Sequence, residues 1–299
     1  MPSLPARIKK ISPFEIILYM FLFFCAFVFF FPFWTTLVGS LNDGLDYLKG
    51  GVYLYPRKFT FLSYIKVLSN KAVLNSYKVT ILRTLIGTFT HVVCSSMFAY
   101  AYSRKILRGK KFYTFFCLFT MYLSGGLIPT YILYKYLHLL DNFLVFIIPG
   151  IVGFWDVIII QTFFKDNSIE SITECAMVDG ANEYTICFKI VIPLAVPVLA
   201  AIVLFSGVGH WNSYSDVVFF TTKKSLQTAQ VLLMTIVRDQ QRAAEMANLN
   251  IRQLLSKRAI NAQTVTLATM MVATMPIVCI YPLLQRYFIK GIMVGSLKG

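Results

Sequence analysis

The sequence predicts an all-α polytopic membrane protein with six transmembrane helices. Of its 299 residues, 57% are hydrophobic and only 14% are charged, so the chain carries more apolar surface than one soluble core of this length can bury. Runs of about 20 mostly apolar residues, the length that crosses a hydrocarbon layer of roughly 30 Å, occur six times along it. The six predicted crossings cover residues 14–38, 76–102, 112–136, 143–164, 197–214 and 265–284.

The first crossing is predicted to be an uncleaved anchor. It is too long for the core of a signal peptide, and no small-residue cleavage site follows it. We therefore divide the chain into 1–75, an N-terminal anchor helix with an external loop, and 76–299, a core domain of five helices that includes a hairpin at 165–192. Prolines inside or at the ends of the crossings require neighbouring helices to satisfy the freed carbonyls, which predicts a packed bundle.

Lys and Arg in the short connections predict the orientation. Five of them fall in residues 104–111, RKILRGKK, and residues 7–10 add three more. Short basic connections stay in the cytoplasm, so both termini and the connection 165–192 are predicted to be cytoplasmic. The long connections 39–75 and 215–262 are then external. They carry twelve Lys and Arg against five Asp and Glu, but loops of this length cross the membrane largely regardless of charge.

The spacing of cysteine and histidine indicates neither a disulfide framework nor a metal site. Six cysteines are scattered along the chain, none of them in the long external connections, and no CxxC pair occurs. Three histidines are too dispersed in the sequence to form a ligand set. We therefore predict no metal centre, and we interpret the cysteines as small apolar packing residues.

The connection 165–192 has the pattern of two short helices. Residues 168–177 and 182–190 show the helical spacing of apolar positions, and Asp179-Gly180 marks the turn between them. A polar, turn-marked hairpin between two apolar crossings would protrude from the inner membrane face.

Caps and a proline are predicted to set the ends of these helices. Ser168 can cap the first helix, and Asp179 or Asn182 can cap the second. Pro193 prevents the second helix from running straight into the fifth crossing. The hairpin would display acidic residues together with small ones that let another protein's backbone come close: Glu174, Ala176, Asp179, Gly180 and Ala181.

Two interpretations of the hairpin are open. A cytoplasmic loop of this length could simply be solvated. A solvated loop, however, would not need its large apolar residues, which are Ile169, Ile172, Met177, Val178, Ile186 and Phe188. Because exposed apolar surface rimmed by charge is typical of a docking site, the residues favour docking over solvation.

The hairpin also carries a motif that resembles a family signature. The residues concerned are Glu174, Cys175, Ala176 and Gly180, followed after nine residues by Ile190, Ile192 and Pro193. They are similar to the E-A-A-x-x-x-G and I-x-L-P signature of the permease subunits of binding-protein-dependent ABC importers. Cys175 stands where the signature has Ala, and Ile192 stands where it has Leu. Both replacements are conservative in size.

Four further segments extend the resemblance over almost the whole chain. Within that family, the sequence is similar to the maltose-type sugar permeases and, among these, to the LplC-like oligosaccharide group. The segments are SGGLIPTYILYKYLHLLDN (124–142), GHWNSYSD (209–216), NAQTVTLATMMVATMPIV (261–278) and QRYFIKGIMVGSLKG (285–299).

The resemblance implies a multi-pass transport subunit of a bacterial cell membrane that catalyses no reaction itself. The hairpin would be its coupling-helix pair, with an ATPase contact formed by Glu174, Cys175, Ala176, Asp179, Gly180, Ala181, Ile190 and Pro193. The implied partners are a homologous second permease, two ATP-binding cassette ATPases, an extracytoplasmic solute-binding protein, an oligosaccharide and membrane lipid, with no nucleic acid. No GxxxxGK[ST] phosphate loop occurs in the sequence, so ATP and Mg²⁺ are expected on the ATPases and no cofactor on this chain.

An ion-driven secondary sugar transporter is the alternative function. It would work without an ATPase. The lack of an obvious inverted repeat and the presence of the hairpin argue against it. A receptor or scaffold would leave the intramembrane residues Asp156 and Arg83 without a purpose.

Ionisable and aromatic residues within the crossings are candidates for a substrate path. For Arg83 and Asp156, an ion pair with each other or with another subunit is the alternative to a substrate contact. Trp211 and Tyr214 could stack on sugar rings or belong to an interfacial aromatic belt. The candidates are Arg83, Tyr131, Trp155, Asp156, Gln161, Trp211, Asn212 and Tyr214.

The positive charge of the external loops indicates an acidic substrate. Lys and Arg steer anions, and Arg pairs bidentately with carboxylates. An oligomer of a uronate polymer such as alginate would suit this surface. Basic loops lying against anionic lipid headgroups are the alternative, and charge alone leaves both open.

Overall fold

The fold is that of a computed structural model, which describes residues 12–249, 263–280 and 282. The predictions on residues 7–10, on the end of the sixth crossing beyond 282 and on segment 285–299 lie outside this part of the chain. Within it, the prediction of an all-α protein is confirmed, since the described residues form helices and their connections. The one β-bridge among them is isolated and pairs Asn42 with Phe59.

Fourteen α-helices occupy the described residues. In chain order they are α1 (Pro13–Ser40), α2 (Gly44–Tyr47), α3 (Leu62–Leu68), α4 (Lys71–Ser103), α5 (Lys110–Tyr122), α6 (Leu127–Tyr136), α7 (Phe154–Phe164), α8 (Asn167–Val178), α9 (Glu183–Thr185), α10 (Ile192–Leu194), α11 (Val196–Asn212), α12 (Ser215–Phe220), α13 (Ala229–Leu249) and α14 (Gln263–Ile280). Three 3₁₀ helices add Phe143–Phe146, Ile148–Gly150 and Lys224–Leu226, and a π-helix spans Ile186–Val191.

Three of the described helices, α1, α4 and α14, are individually long and apolar enough to cross a membrane. Three further segments pass the same test only as bent pairs, which raises the possible number of crossings to six. The bends are 114° between α5 and α6, 46° between Phe143–Gly150 and α7, and 80° between Glu183–Leu194 and α11. The break between α5 and α6 contains Gly126 at φ 83°, a backbone conformation that only glycine adopts without strain.

Helix α1 is a 28-residue apolar helix that begins with a capping box. The Glu15 carboxylate accepts the backbone N–H of Ser12 at 2.8 Å, and the Ser12 hydroxyl accepts the N–H of Phe14. The buried residues of the helix are its last three, Val38–Ser40, and its phenylalanines are exposed. A long helix that exposes apolar side chains along its length suits a lipid environment.

The chain divides into two compact units. Among the described residues, one unit comprises those up to Val67 together with those between Asp239 and Val272, and the other comprises Leu68–Arg238 together with those from Ala273 onward. In the first unit, the Ser63 hydroxyl donates to the Thr264 hydroxyl at 3.1 Å and so ties α3 to α14.

The second unit is organised around α4, which packs against α7 and α11. Along one face of α4 the buried residues are mostly small or polar and recur every three or four positions: Ser76, Thr80, Arg83, Gly87, His91, Ser95 and Ala99. Small residues on a helix face allow close approach of neighbouring helices, which is how helices associate where lipid surrounds them. At Gly87 an added Cβ would lie 2.5 Å from the ring of His210 on α11, so this position has room for no side chain unless that ring moves.

Asp141 joins two turns of the second unit. Its carboxylate accepts the backbone N–H of Thr222 at 2.5 Å, the Thr222 hydroxyl at 2.7 Å and the N–H of Lys223 at 3.0 Å. The hydrogen bonds from Thr222, backbone first, and from Lys223 hold the pKa of this carboxyl below its ordinary value. The ionised carboxylate therefore stabilises the folded state.

Replacing Asp141 with Asn is expected to lower the unfolding midpoint of the purified protein at pH 7. Because the folded pKa is depressed, the stabilisation is fully present above the unfolded pKa of about 3.9 and is lost as pH falls through the folded pKa. Differential scanning fluorimetry across pH should show that the difference in unfolding midpoint between wild type and Asp141→Asn decreases in acid. Asp239→Asn, at an exposed position, serves as the control. A difference in unfolding midpoint that did not change with pH would contradict the view that the ionised carboxylate of Asp141 provides the stabilisation.

Candidate functional site

The first half of the hairpin is α8. Its N-cap is Asp166, whose carboxylate accepts the N–H of Ser168 at 3.0 Å, so the predicted cap at Ser168 was two residues too late. The helix ends at Asp179, and Gly180 follows at φ 81°. A glycine in this left-handed conformation ends a helix and reverses the chain at no steric cost.

The second half of the hairpin is helical but irregular. The Asn182 side chain accepts the N–H of Thr185 at 2.8 Å, which confirms one of the two predicted caps. After α9 the chain enters the π-helix Ile186–Val191, continues through α10, and bends by 80° into α11. Pro193 and Pro197 have no N–H to donate, so two backbone hydrogen bonds of a straight helix are lost at the bend.

The inner side of the hairpin packs into the core of the second unit. Ile169, Ile186 and Val191 are buried in one apolar cluster with residues of α4, α7 and α11. Its outer face stays exposed at the turn, where Val178 is 88% exposed. The other exposed residues there are Glu174, Cys175, Met177, Asp179 and Gly180. Of the predicted contact residues, Ala176, Ala181 and Ile190 are half-buried and Pro193 is exposed.

Ion pairs attach the hairpin to the basic connection that follows α4. Lys105 pairs with Glu170, and Arg104 Nη2 lies 2.9 Å from the Glu183 carboxylate, which also accepts the hydroxyl of Tyr100. The hydrogen bond to Glu170 and then its charge raise the pKa of Lys105, and Glu174 contributes in the same direction. Both halves of the hairpin are thus bound to one segment.

A second feature is an open cavity of about 390 Å³ in the same unit. Its polar lining consists of Arg83, His91, Tyr134, Asp156, Ser206, His210, Ser213 and Asp216. Phe146, Phe205 and Phe220 are among its apolar walls. Concave sites of about 300–1,000 Å³ with a few convergent polar groups are typical of ligand pockets.

Two ion pairs organise the cavity. Arg83 pairs bidentately with Asp216, with Nη1 lying 3.2 Å from Oδ1 and Nη2 bonded to Oδ2, and its guanidinium lies 4.6 Å from the centre of the Phe146 ring. His91 Nε2 lies 2.8 Å from Asp156 Oδ2, while Nδ1 donates to the carbonyl of Gly150 at 2.7 Å. The expected alternative of a pair between Arg83 and Asp156 was therefore wrong for this chain, since each has a different partner.

The remaining path candidates do not gather around the cavity. Trp211 is buried, and its indole N–H donates to the carbonyl of Ala273 at 3.1 Å. Gln161 is also buried and donates to the carbonyl of Tyr102 at 3.0 Å. Both side chains hold helices together in this conformation and are not open to a passing sugar.

The other four candidates are exposed and do not themselves line the cavity. Trp155 is 63% exposed, and the ring of Tyr131 stacks on Phe220. The amide oxygen of Asn212 accepts a hydrogen bond from Gln230 at 3.1 Å, and Tyr214 is exposed.

Among the acidic and basic residues of the cavity, sequence reasoning missed three: His91, His210 and Asp216. The histidines are far apart in the sequence, but α4 and α11 bring them to one cavity. A signal was present for His91, because it lies on the same helical face as Ser76, Thr80 and Gly87, at spacings of three or four residues.

Comparison with known proteins decides the family. The chain is 33% identical over 286 residues to the polygalacturonan/rhamnogalacturonan transport system permease protein YtcP of Bacillus subtilis (strain 168). The aligned region covers 96% of this chain and 98% of that protein. This chain belongs to the permease subunits of carbohydrate ABC transporters. No protein-family model matches it.

Two further comparisons agree with this assignment. The permease is 30% identical over 270 residues to protein LplC of the same organism, covering 90% of this chain and 89% of that protein. Its fold is similar to a chain in the crystal structure of a bacterial ABC transporter involved in the import of the acidic polysaccharide alginate. That similarity has a TM-score of 0.82 at 29% identity and covers 96% of this permease and 100% of the other chain. The predicted family is confirmed, and the permease is a membrane-embedded transport subunit.

Proposed function

We propose that this permease is one of two transmembrane subunits of an ATP-driven importer that brings an acidic oligosaccharide into a bacterial cell. The observation that carries the coupling part of the proposal is the hairpin, an exposed turn on two helices whose base is buried in the core. Support for the acidic substrate comes from two relatives, one named for polygalacturonan and one for alginate, because both polymers are built from uronic acids.

The proposed topology has six crossings with both termini in the cytoplasm. It counts each bent pair as one crossing, and it places RKILRGKK (104–111) and the hairpin on the same side of the bacterial plasma membrane. The ion pairs Lys105–Glu170 and Arg104–Glu183, which join these two segments, support this placement.

Energy for transport would come from partner subunits. Two ATP-binding cassette ATPases would hold ATP and Mg²⁺, a second homologous permease would complete the path, and an extracytoplasmic binding protein would deliver the sugar. The residues that would meet the ATPase are Glu174, Cys175, Ala176, Asp179, Gly180, Ala181, Ile190 and Pro193. This chain would hold no cofactor and carry out no chemical step.

The continuity of the hairpin with α11 offers a route for the movement. A push on the turn would pass through α10 and the bend at Ala195 into α11, which contributes Phe205, Ser206 and His210 to the cavity. A π-helix next to a bend is a place where a helix can change register at low cost. Movement of α11 against α4 would open or close the cavity as a two-state change.

Reconstitution of the purified complex in proteoliposomes tests this function. We expect two ATPase chains to co-purify with the two permeases, and we expect uptake of a uronate oligomer that requires internal ATP and the binding protein. The ion-driven alternative predicts uptake by the isolated permease under a proton or sodium gradient. Equal uptake of a neutral oligosaccharide of the same length would contradict the proposal that the substrate is acidic.

A further inference from the structure

The two ion pairs of the cavity leave a surplus of hydrogen-bond donors. Of its three basic side chains, Arg83 and His91 have carboxylate partners, while His210 makes no hydrogen bond to any residue in the described part of the chain. Arg83 is 1% exposed, and its Nε–H is likewise without an acceptor there. A buried donor without an acceptor is costly, and in native proteins it calls for an explanation such as a ligand.

Of the four carboxylate oxygens that line the cavity, in contrast, three already accept hydrogen bonds. Asp216 Oδ1 accepts from Arg83, from the Ser213 hydroxyl at 3.0 Å and from the backbone N–H of Val217 at 2.9 Å, and Oδ2 accepts from Arg83. Asp156 Oδ2 accepts from His91. A ligand that fits this lining must therefore supply acceptors more than donors.

The position of His210 is fixed by its neighbour on α4. Its ring lies against Gly87, where an added Cβ would meet the ring atoms at 2.5–2.9 Å. The absence of a side chain at Gly87 lets the imidazole sit beside α4 and at the cavity wall. A donor held in this way is pre-organised for a ligand.

We propose that the cavity is a subsite for the carboxylate of one sugar ring of the transported chain, with the imidazole of His210 as its main donor and Arg83 beside it. A carboxylate offers two acceptor oxygens and no donor, which matches an imidazole N–H that has no partner in the described part of the chain. Phe205 and Phe220 would face the apolar side of the ring. This inference rests on the proposed function, because it identifies where an acidic oligosaccharide is held within this permease.

Uptake by the complete reconstituted importer tests the subsite. We expect His210→Phe, which keeps a ring beside Gly87 but removes both nitrogens, to reduce uptake of a uronate trimer about tenfold or more, since a hydrogen bond to a charged group is lost. Uptake of a neutral trisaccharide of matched length should change less than twofold wherever the wild-type importer accepts it. His210→Gln, which retains an N–H donor, should recover part of the uronate uptake.

A second measurement needs no variant. Diethyl pyrocarbonate modifies histidine, and mass spectrometry follows its reaction with His210 in the wild-type complex. We expect the uronate trimer to slow this modification at least threefold during turnover. The neutral sugar should not slow it. Unchanged uronate uptake in His210→Phe, equal loss for both sugars, or equal modification with and without the uronate would overturn the subsite. Failure of the wild-type importer to take up uronate at all would instead overturn the proposed function.

Discussion

Reversing the charge at Glu174, as in Glu174→Lys, is expected to abolish sugar uptake while the importer still assembles in the membrane. Glu174 is exposed on α8 near the turn, where it has no ion-pair partner in the described part of the chain. In the proposed complex it meets a basic residue of the ATPase, and like charges placed opposite each other at an interface cost several kcal/mol. Uptake in proteoliposomes should fall at least about tenfold, with ATP hydrolysis no longer responding to the loaded binding protein.

Two variants make this result specific. Glu174→Gln keeps the size of the side chain and removes only the charge, so it should lose less uptake than Glu174→Lys. Asp239→Lys reverses an exposed charge on α13 and should leave the ATPase response unchanged. Full uptake by Glu174→Lys would show that Glu174 does not take part in the contact with the ATPase.

Replacing Arg83 with Met is expected to destabilise the permease by about 3–5 kcal/mol, the range found when one partner of a buried ion pair is removed. The variant would leave the carboxylate of Asp216, whose side chain is only 21% exposed, without its partner, and would also lose the contact with Phe146. Thermal unfolding of the detergent-solubilised complex, followed by tryptophan fluorescence or by size-exclusion chromatography after heating, measures the effect.

The double variant Arg83→Met/Asp216→Asn should recover much of this stability. Asparagine retains an acceptor for Ser213 and for the N–H of Val217 but carries no charge that needs a partner. The double-mutant cycle therefore isolates the ion pair from the surrounding hydrogen bonds. Additive losses in the two single variants would contradict a tight pair between Arg83 and Asp216.

The apolar runs predicted the positions of the helices well, because the length needed to cross a bilayer is a strong constraint on sequence. Their bends were harder to foresee. The prolines of these runs predicted a packed bundle and not the bends. The 114° break before α6 depends on Gly126 at a positive φ, a conformation that the sequence permits without requiring. Three of the six predicted crossings are accordingly broken helices.

The hairpin was predicted in outline from its turn and its apolar spacing. The cap at Asn182 follows local rules that depend on neighbouring residues in sequence, and so it could be anticipated. The cap at Asp166 was missed because Ser168 is an equally good capping residue two positions later.

The cavity could not be predicted from the sequence, because its residues lie far apart along the chain. Arg83 and Asp216 are 133 residues apart, and His91 and Asp156 are 65 apart, so only the packing of α4 against its neighbours brings them together. Trp211 and Gln161 were sensible path candidates by residue type. Their side chains turn inward to satisfy backbone carbonyls of neighbouring segments, a choice that depends on tertiary structure.

Cys175, an exposed cysteine beside Glu174, allows a direct test of where the hairpin lies and what covers it. A variant that keeps Cys175 and replaces the other five cysteines with serine or alanine is treated with a membrane-impermeant maleimide. We expect labelling in inverted membrane vesicles stripped of the ATPases, protection when the ATPases are added back, and no labelling in intact cells. Labelling of Cys175 from outside intact cells, or labelling unaffected by the ATPases, would contradict the claim that this hairpin is the cytoplasmic coupling site.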